Sequence, residues 1–307
     1  MFKLQFPQDT TPRLADAPAF KDGEDGWDTL EAYYHGSELA FDIRATIRER
    51  IHNGNMRAFR VGLYPVHGNT IAGEELIAIC KVAYGRRRAK LLKKEADLYR
   101  DKLASLQGKW VPAIFGCYLG QTVEAWTCIL VMQDCGRPLP CPFYMLPPQS
   151  RAQVVDGLHH LHKAGIVHRD FTEHNVVIQK TDSGKYWLTI VDFGEAREHD
   201  CPCKDWKVEP VYAPQPVTGT FDCAELWNAC AQDVDIWRPR TVRFYEEFYP
   251  ADWAASDTPE EFLERVRIPD GIMREDALEY AYSVITRYRE AAWTRLEWDK
   301  LPLLWKD

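Results

Sequence analysis

Eight consecutive residues, His168-Arg169-Asp170-Phe171-Thr172-Glu173-His174-Asn175, set a carboxamide five positions after a carboxylate, and Asp192-Phe193-Gly194 follows seventeen residues after Asn175. The flanking residues dictate the local structure that must carry both segments. Ser150 can cap a helix running to about Ala164, with Val154, Leu158 and Leu161 on one face and Gly165 as its stop. Ile166-Val167 leads into the first loop and Val176-Val177-Ile178 forms a short strand. After a turn at Asp182-Ser183-Gly184, Trp187-Leu188-Thr189-Ile190-Val191 returns as a second strand and delivers Asp192. The order is therefore helix, loop, hairpin, loop. The plainer reading, a polar turn ahead of a hairpin and then an ordinary Asp-Phe-Gly turn, needs both motifs to arise by coincidence together.

His168-Arg169-Asp170, Asn175 and Asp192-Phe193-Gly194 resemble the catalytic and metal-binding loops of protein kinases. Phosphoryl transfer uses a carboxylate near the incoming hydroxyl and hard oxygen ligands for Mg²⁺ on a triphosphate. The resemblance makes Asp170 the base or orienting group, with Asn175 and Asp192 as metal ligands. It places Arg169 beside Asp170, where it could receive a phosphate on the following segment, with Thr218 and Thr220 as phosphate-bearing candidates. ATP and Mg²⁺ are the implied cofactors.

Such a site also needs a lysine for the phosphates. Leu76-Ile77-Ala78-Ile79-Cys80-Lys81-Val82-Ala83 reads as a buried strand with one charge, and a lysine in such a run is costly unless paired. The segment from Arg86 to about Leu106 reads as a helix. Glu95 on it is the best partner for Lys81, with Asp97 as competitor. Strands are expected near Val111–Leu119 and Glu124–Met132. The stretch Met132-Gln133-Asp134-Cys135-Gly136 resembles the hinge where adenine is read by backbone groups, which makes Met132, Gln133 and Cys135 nucleotide-binding candidates. Strands near Phe41–Ile51 and Met56–Tyr64 are joined by His52-Asn53-Gly54-Asn55, good hairpin chemistry. Gly54 is its single glycine, a thin match to the several with which kinases bring backbone amides to the phosphates. The stretches Cys-Lys-Val-Ala-Tyr-Gly (80–85) and Leu-Gln-Gly-Lys (106–109) look like a divergent kinase-like group common in fungi.

At 307 residues the chain can bury a sizeable core. A net charge of −8, with 46 acids against 38 bases, argues against nucleic-acid binding. Arg86-Arg87-Arg88-Ala89-Lys90 is the chief basic cluster, read as a solvated helix start or a docking site for an acidic partner. No apolar run reaches the roughly 18 residues of a membrane span, and the N-terminus lacks an apolar signal core. Nine scattered cysteines fit reduced thiols, hence a cytoplasmic or nuclear expectation. His199-Asp200-Cys201-Pro202-Cys203 has the look of a metal site, although two close cysteines with no second pair disfavour zinc.

The implied fold is α+β and two-lobed: an extension at 1–35, a small, mainly antiparallel β lobe with one helix at 36–133, and a hinge with a larger, mainly helical lobe at 134–307. In the last third, helices are expected after Ser256 or Thr258 and over about Arg274 to Leu296, with an aromatic tail at Trp298–Trp305. Ala224-Glu225 and Asp235-Ile236-Trp237 faintly echo later kinase landmarks, and the segment from Glu195 to Thr220 should be irregular. Thr172 stands where Ser/Thr-specific kinases carry a lysine, two positions beyond the catalytic aspartate. The readings are an ATP- and Mg²⁺-dependent phosphotransferase acting on protein hydroxyls, a pseudokinase scaffold, or a small-molecule kinase. Oligomeric state is not legible.

Overall fold

The computed structural model describes residues 2–12, 26–36, 41–67, 70–180, 184, 186–208, 213–217 and 219–290. They form two compact units, one comprising Met1–Pro140 with Gly157–Lys204, the other Cys141–Asp156 with Asp205–Asp307.

The first unit begins with strands β1 (Lys3–Pro7), β2 (Trp27–His35), β3 (Ile43–Asn53), β4 (Arg57–His67), β5 (Thr70–Ile71) and β6 (Leu76–Tyr84). Helix α1 (Arg86–Asp101) follows, then β7 (Ile114–Gln121), β8 (Trp126–Gln133) and β9 (Arg137–Pro138). The strand order is β3-β1-β2-β7-β8-β6-β4-β5, and a further β3–β4 pairing closes seven of these strands into a barrel. All its pairings are antiparallel except β1 with β3. Alternation along the strands fills the interior. Leu4, Phe6, Leu30, Ile43, Ala45, Ile47, Phe59, Val61 and Leu63 point inward, with Ala78, Cys80 and Val82 from β6. Each large side chain so buried contributes roughly 1.5–3 kcal/mol. The same alternation turns Lys81 to the outer face of β6, where α1 packs.

This architecture corrects the expected fold in two respects. Of residues 1–35, the described β1 and β2 do not merely extend from a small sheet: they are barrel staves whose Leu4, Phe6 and Leu30 are core. Nor is the chain a small sheet followed by a mostly helical bulk. Strand exceeds helix among the described residues, and short strands recur to residue 250.

Helix α2 (Pro148–Lys163) ends at Gly165, whose φ of 80° is left-handed, and β10 (Ile166–Val167) follows. Strands β11 (Val176–Lys180) and β12 (Tyr186–Ile190) form an antiparallel hairpin that also pairs with β9. β13 (Arg197–Glu198) pairs with β10. Gly157 lets α2 pack closely: a Cβ there would sit 3.0 Å from the Trp110 ring, which would have to give by a few tenths of an ångström. Trp110 in turn stacks on His160 and accepts a hydrogen bond from the Ile190 amide.

In the second unit, β14 (Ala213–Pro214) pairs in parallel with a later strand, β15 (Trp237–Arg238). Between them lies α3 (Ala224–Asn228), continued by a π-helical turn at Ala229–Asp233. The Trp206, Phe221, Trp227 and Trp237 rings contact one another. Arg151 is fully buried and donates to the Val234 and Asp235 carbonyls. The hairpin β16 (Thr241–Phe244) and β17 (Glu247–Pro250) packs with α4 (Ala251–Ser256), α5 (Pro259–Arg265) and α6 (Arg274–Arg289) around Phe244, Phe262, Ala281 and Ile285. The aromatic tail and Thr218 lie outside the described residues. No described helix is long and apolar enough to cross a membrane.

Candidate active site

Lys81 reaches from the outer face of β6 to α1, where its Nζ lies 2.8 and 3.0 Å from the two Glu95 carboxylate oxygens. Glu95 sits on the buried stripe of α1 with Ala89, Leu92, Ala96 and Tyr99, and its side chain is 1% exposed. Its competitor Asp97 is engaged elsewhere, with the Tyr33 hydroxyl, Lys93 and Arg100. Lys81 Nζ also lies 2.8 Å from Asp192 Oδ1. One ammonium therefore ties β6, α1 and the loop after β12 together.

Backbone geometry fixes both loops. The Phe193 amide donates to Glu95 Oε1 at 3.2 Å, and the Gly194 amide to Asp192 Oδ1 at 3.2 Å. Phe193 is buried against the Tyr99 and His168 rings. His168 Nε2 meets the Val191 carbonyl at 3.0 Å, while the Asp170 amide donates to Nδ1 at 3.3 Å. A carbonyl only accepts and an amide only donates, so these partners assign the proton to Nε2. Asn175 Nδ2 donates to the Asp170 carbonyl at 2.8 Å and to its Oδ2 at 2.9 Å. The Val191 amide donates to the Asn175 carbonyl, joining the two loops. Arg169 and Asp192 adopt φ of 68° and 64°, strained for residues with a Cβ, and such strain clusters at functional sites.

The charges shift one another. Burial would lower the Lys81 ammonium, but the carboxylates of Glu95 and Asp192 outweigh it and hold it above its ordinary value. Burial raises Glu95, against the pull of Lys81. Burial would raise Asp192 too, yet Lys81 and the Gly194 amide leave it below the ordinary carboxylate range.

These groups line one cavity of about 1440 Å³, wider than the ~300–1,000 Å³ of most small-molecule sites. Lys81, Glu95, Asp170, Asn175 and Asp192 line it, as do Met132, Gln133, Cys135 and Gly54. Arg169 is exposed and is not among the lining residues. At the end of β8, the Gln133 amide donates to the Ala113 carbonyl, and burial pushes the Cys135 thiol up to about 11. Gly136 has φ 107°, and a Cβ there would collide with the Ile178 carbonyl, so only glycine lets the chain pass from this edge to β9. Gly54 is different: the nearest atoms a Cβ would meet are those of the His52 side chain, so no backbone packing there demands a glycine.

Sequence reasoning missed Arg60. Its guanidinium lies in the cavity wall, bonded to Asp134 at 2.6 Å and the Gly136 carbonyl at 3.1 Å, and paired with Glu49. Its position on β4, one strand away from Lys81, was the only available signal.

The described geometry meets recognisable relatives. Residues 149–238 match the protein kinase domain family. Among curated proteins, mitogen-activated protein kinase 12 of Homo sapiens is 34% identical over 86 residues, 28% of this chain and 20% of that protein. The same kinase of Danio rerio is 35% identical over 86 residues, covering 21% of its length. Mitogen-activated protein kinase 13 of Homo sapiens is 34% identical, again over 28% of this chain and 20% of the relative. The chain thus spans about a fifth of the length of the curated relatives it matches. The loop residues and these matches together place its resemblance in the protein kinase-like superfamily, over residues 149–238.

Proposed function

We propose that the chain is an ATP- and Mg²⁺-dependent phosphotransferase acting on hydroxyl groups, of a protein side chain by preference. The observation that carries this reading is the Lys81 ammonium bridging Glu95 and Asp192 in the cavity that Asp170 and Asn175 also line. In this reading Glu95 orients Lys81, and Lys81 binds the phosphates of the nucleotide. The backbone at Gln133 and Cys135 reads the adenine, with Met132 behind it. Asp170 accepts or orients the proton of the incoming hydroxyl, and its side chain is held for that task by Asn175 Nδ2.

The donor set fits Mg²⁺. Asn175 spends its nitrogen on Asp170, which leaves its carboxamide oxygen as a hard ligand, and Asp192 is held ionised by Lys81. When bound there, Mg²⁺ would neutralise charge on the phosphate oxygens. Arg169, exposed beside Asp170, would receive a regulatory phosphate rather than touch the nucleotide.

A second reading, a nucleotide-binding pseudokinase, is favoured by Thr172 in place of a cation and by the single glycine of the β3–β4 turn. Transfer of labelled γ-phosphate from ATP to a generic protein acceptor separates the two. Phosphotransfer should fall about 10²–10⁴-fold in Asp170→Asn, the range contributed by a positioned acid–base group. Equal transfer by Asp170→Asn and wild type would overturn the assignment, and nucleotide binding without any transfer would favour the pseudokinase.

A further inference from the structure

Away from the cavity, a second set of metal-ligating atoms converges in the first unit. His162 lies in the last turn of α2 and is 1% exposed, and His159, one turn earlier on that helix, is equally buried. The β10–β13 ladder pairs Ile166 with Glu198, and the His199 amide then donates to the Gly165 carbonyl at 2.8 Å. This ladder sets His199 beside the end of α2, its ring edge-on to that of His162 with centroids 5.4 Å apart. Two residues on, Cys201 is 2% exposed. The chain is tied down again where His159 Nε2 meets the Cys203 carbonyl at 3.1 Å. Ligand atoms of His162, His199 and Cys201 thereby lie within 4.8 Å of one another.

We propose that His162, His199 and Cys201 bind a Zn²⁺ ion that fastens the segment after Asp192-Phe193-Gly194 to the end of α2. Donors at 2.0–2.3 Å around a tetrahedral zinc lie roughly 3.3–3.8 Å apart, so the set needs to close by no more than about 1.5 Å. Two imidazoles and a thiolate suit borderline-soft Zn²⁺ and are a poor match for Mg²⁺ or Ca²⁺. One tetrahedral position remains for water or a further thiolate. An aromatic contact alone would account for the two rings, but it does not account for a buried thiol whose sulfur lies within 4.8 Å of a ring nitrogen of each. Binding displaces the thiol proton to solvent, with no change in oxidation state. The role is separate from phosphate transfer, because none of the three residues lines the cavity.

The test uses the full chain, stripped with chelator and titrated with Co²⁺ and then Zn²⁺. One equivalent of Co²⁺ should give a thiolate-to-cobalt charge-transfer band in the near ultraviolet, which Zn²⁺ then abolishes. Cys201→Ser should remove that band. His199→Gln, at a half-buried and more tolerant position, should keep the band but weaken Zn²⁺ binding by at least about tenfold, the lower end of what loss of even an outer-shell partner costs. Cys203→Ser is the control and should leave both unchanged. Melting each variant in chelator, where wild type is also metal-free, separates lost ligation from lost folding. Absence of stoichiometric metal binding, or an undiminished band in Cys201→Ser, would overturn the proposal.

Discussion

Replacing Lys81 with methionine strands the Glu95 carboxylate on the buried face of α1, where the Phe193 amide at 3.2 Å cannot neutralise it. Breaking one side of a buried ion pair costs about 3–5 kcal/mol. The second contact, to Asp192, adds about 1 kcal/mol or less, because that side chain is 49% exposed and solvent screens it. Lys81→Met should therefore destabilise the chain by about 3–6 kcal/mol. Glu95→Gln should cost less, about 1.5–3 kcal/mol for a lost charge-assisted hydrogen bond, because Lys81 keeps Asp192. Combining the two removes both buried charges, so the double variant should be more stable than the sum of the single losses by about 1.5–3 kcal/mol. Urea unfolding followed by tryptophan fluorescence reads this cycle. With m near 3 kcal/mol/M, the upper end of the usual urea range as suits a chain of this size, Lys81→Met should lower the midpoint by about 1–2 M. Single losses that add to within about 0.5 kcal/mol would mean that Lys81 and Glu95 do not share a buried charge.

The barrel and the last helices make their own predictions. Phe6→Ala should cost about 3–5 kcal/mol, the usual loss for a buried phenylalanine, whereas a mere extension at residues 1–35 would tolerate it within about 0.5 kcal/mol; the urea midpoint decides. Thr258 caps α5 in a reciprocal box with Glu261, and Thr258→Ala should cost about 1 kcal/mol. The Thr258 amide and hydroxyl hold Glu261 below its ordinary value of 4.5, so its contribution is present above that pH and is lost as the pH falls below it. In melting curves recorded across that range, Glu261→Gln should show a flatter acid limb than wild type.

The parts legible in the sequence were local. The turn at Asn53-Gly54, the strand bearing Lys81, the helix bearing Glu95 and the β11–β12 hairpin all have their own periodicity and punctuation, and they formed within a few residues of expectation. The loops of Asp170 and Asp192 followed, since each is clamped between such elements. Barrel closure was not legible. β1 offers only Leu4 and Phe6 as inward residues, and the Pro- and Asp-rich composition of residues 1–35 outweighed that short alternation. Whether a sheet closes depends on the β1–β3 and β2–β7 pairings, which are long-range and leave no mark on spacing. The His162 ligand escaped for the same reason: it sits on a helix, far in sequence from His199 and Cys201, and only the β10–β13 ladder brings them together.

The most direct measurement is the melting temperature with ATP, with and without Mg²⁺, for wild type and Asp192→Asn. A ligand at about 100 times its dissociation constant adds roughly 2.7 kcal/mol, which raises the midpoint by several degrees in a chain of this size. The account predicts a magnesium-dependent rise in wild type that Asp192→Asn loses. An unchanged midpoint at millimolar nucleotide, or a rise indifferent to magnesium and to Asp192, would contradict it.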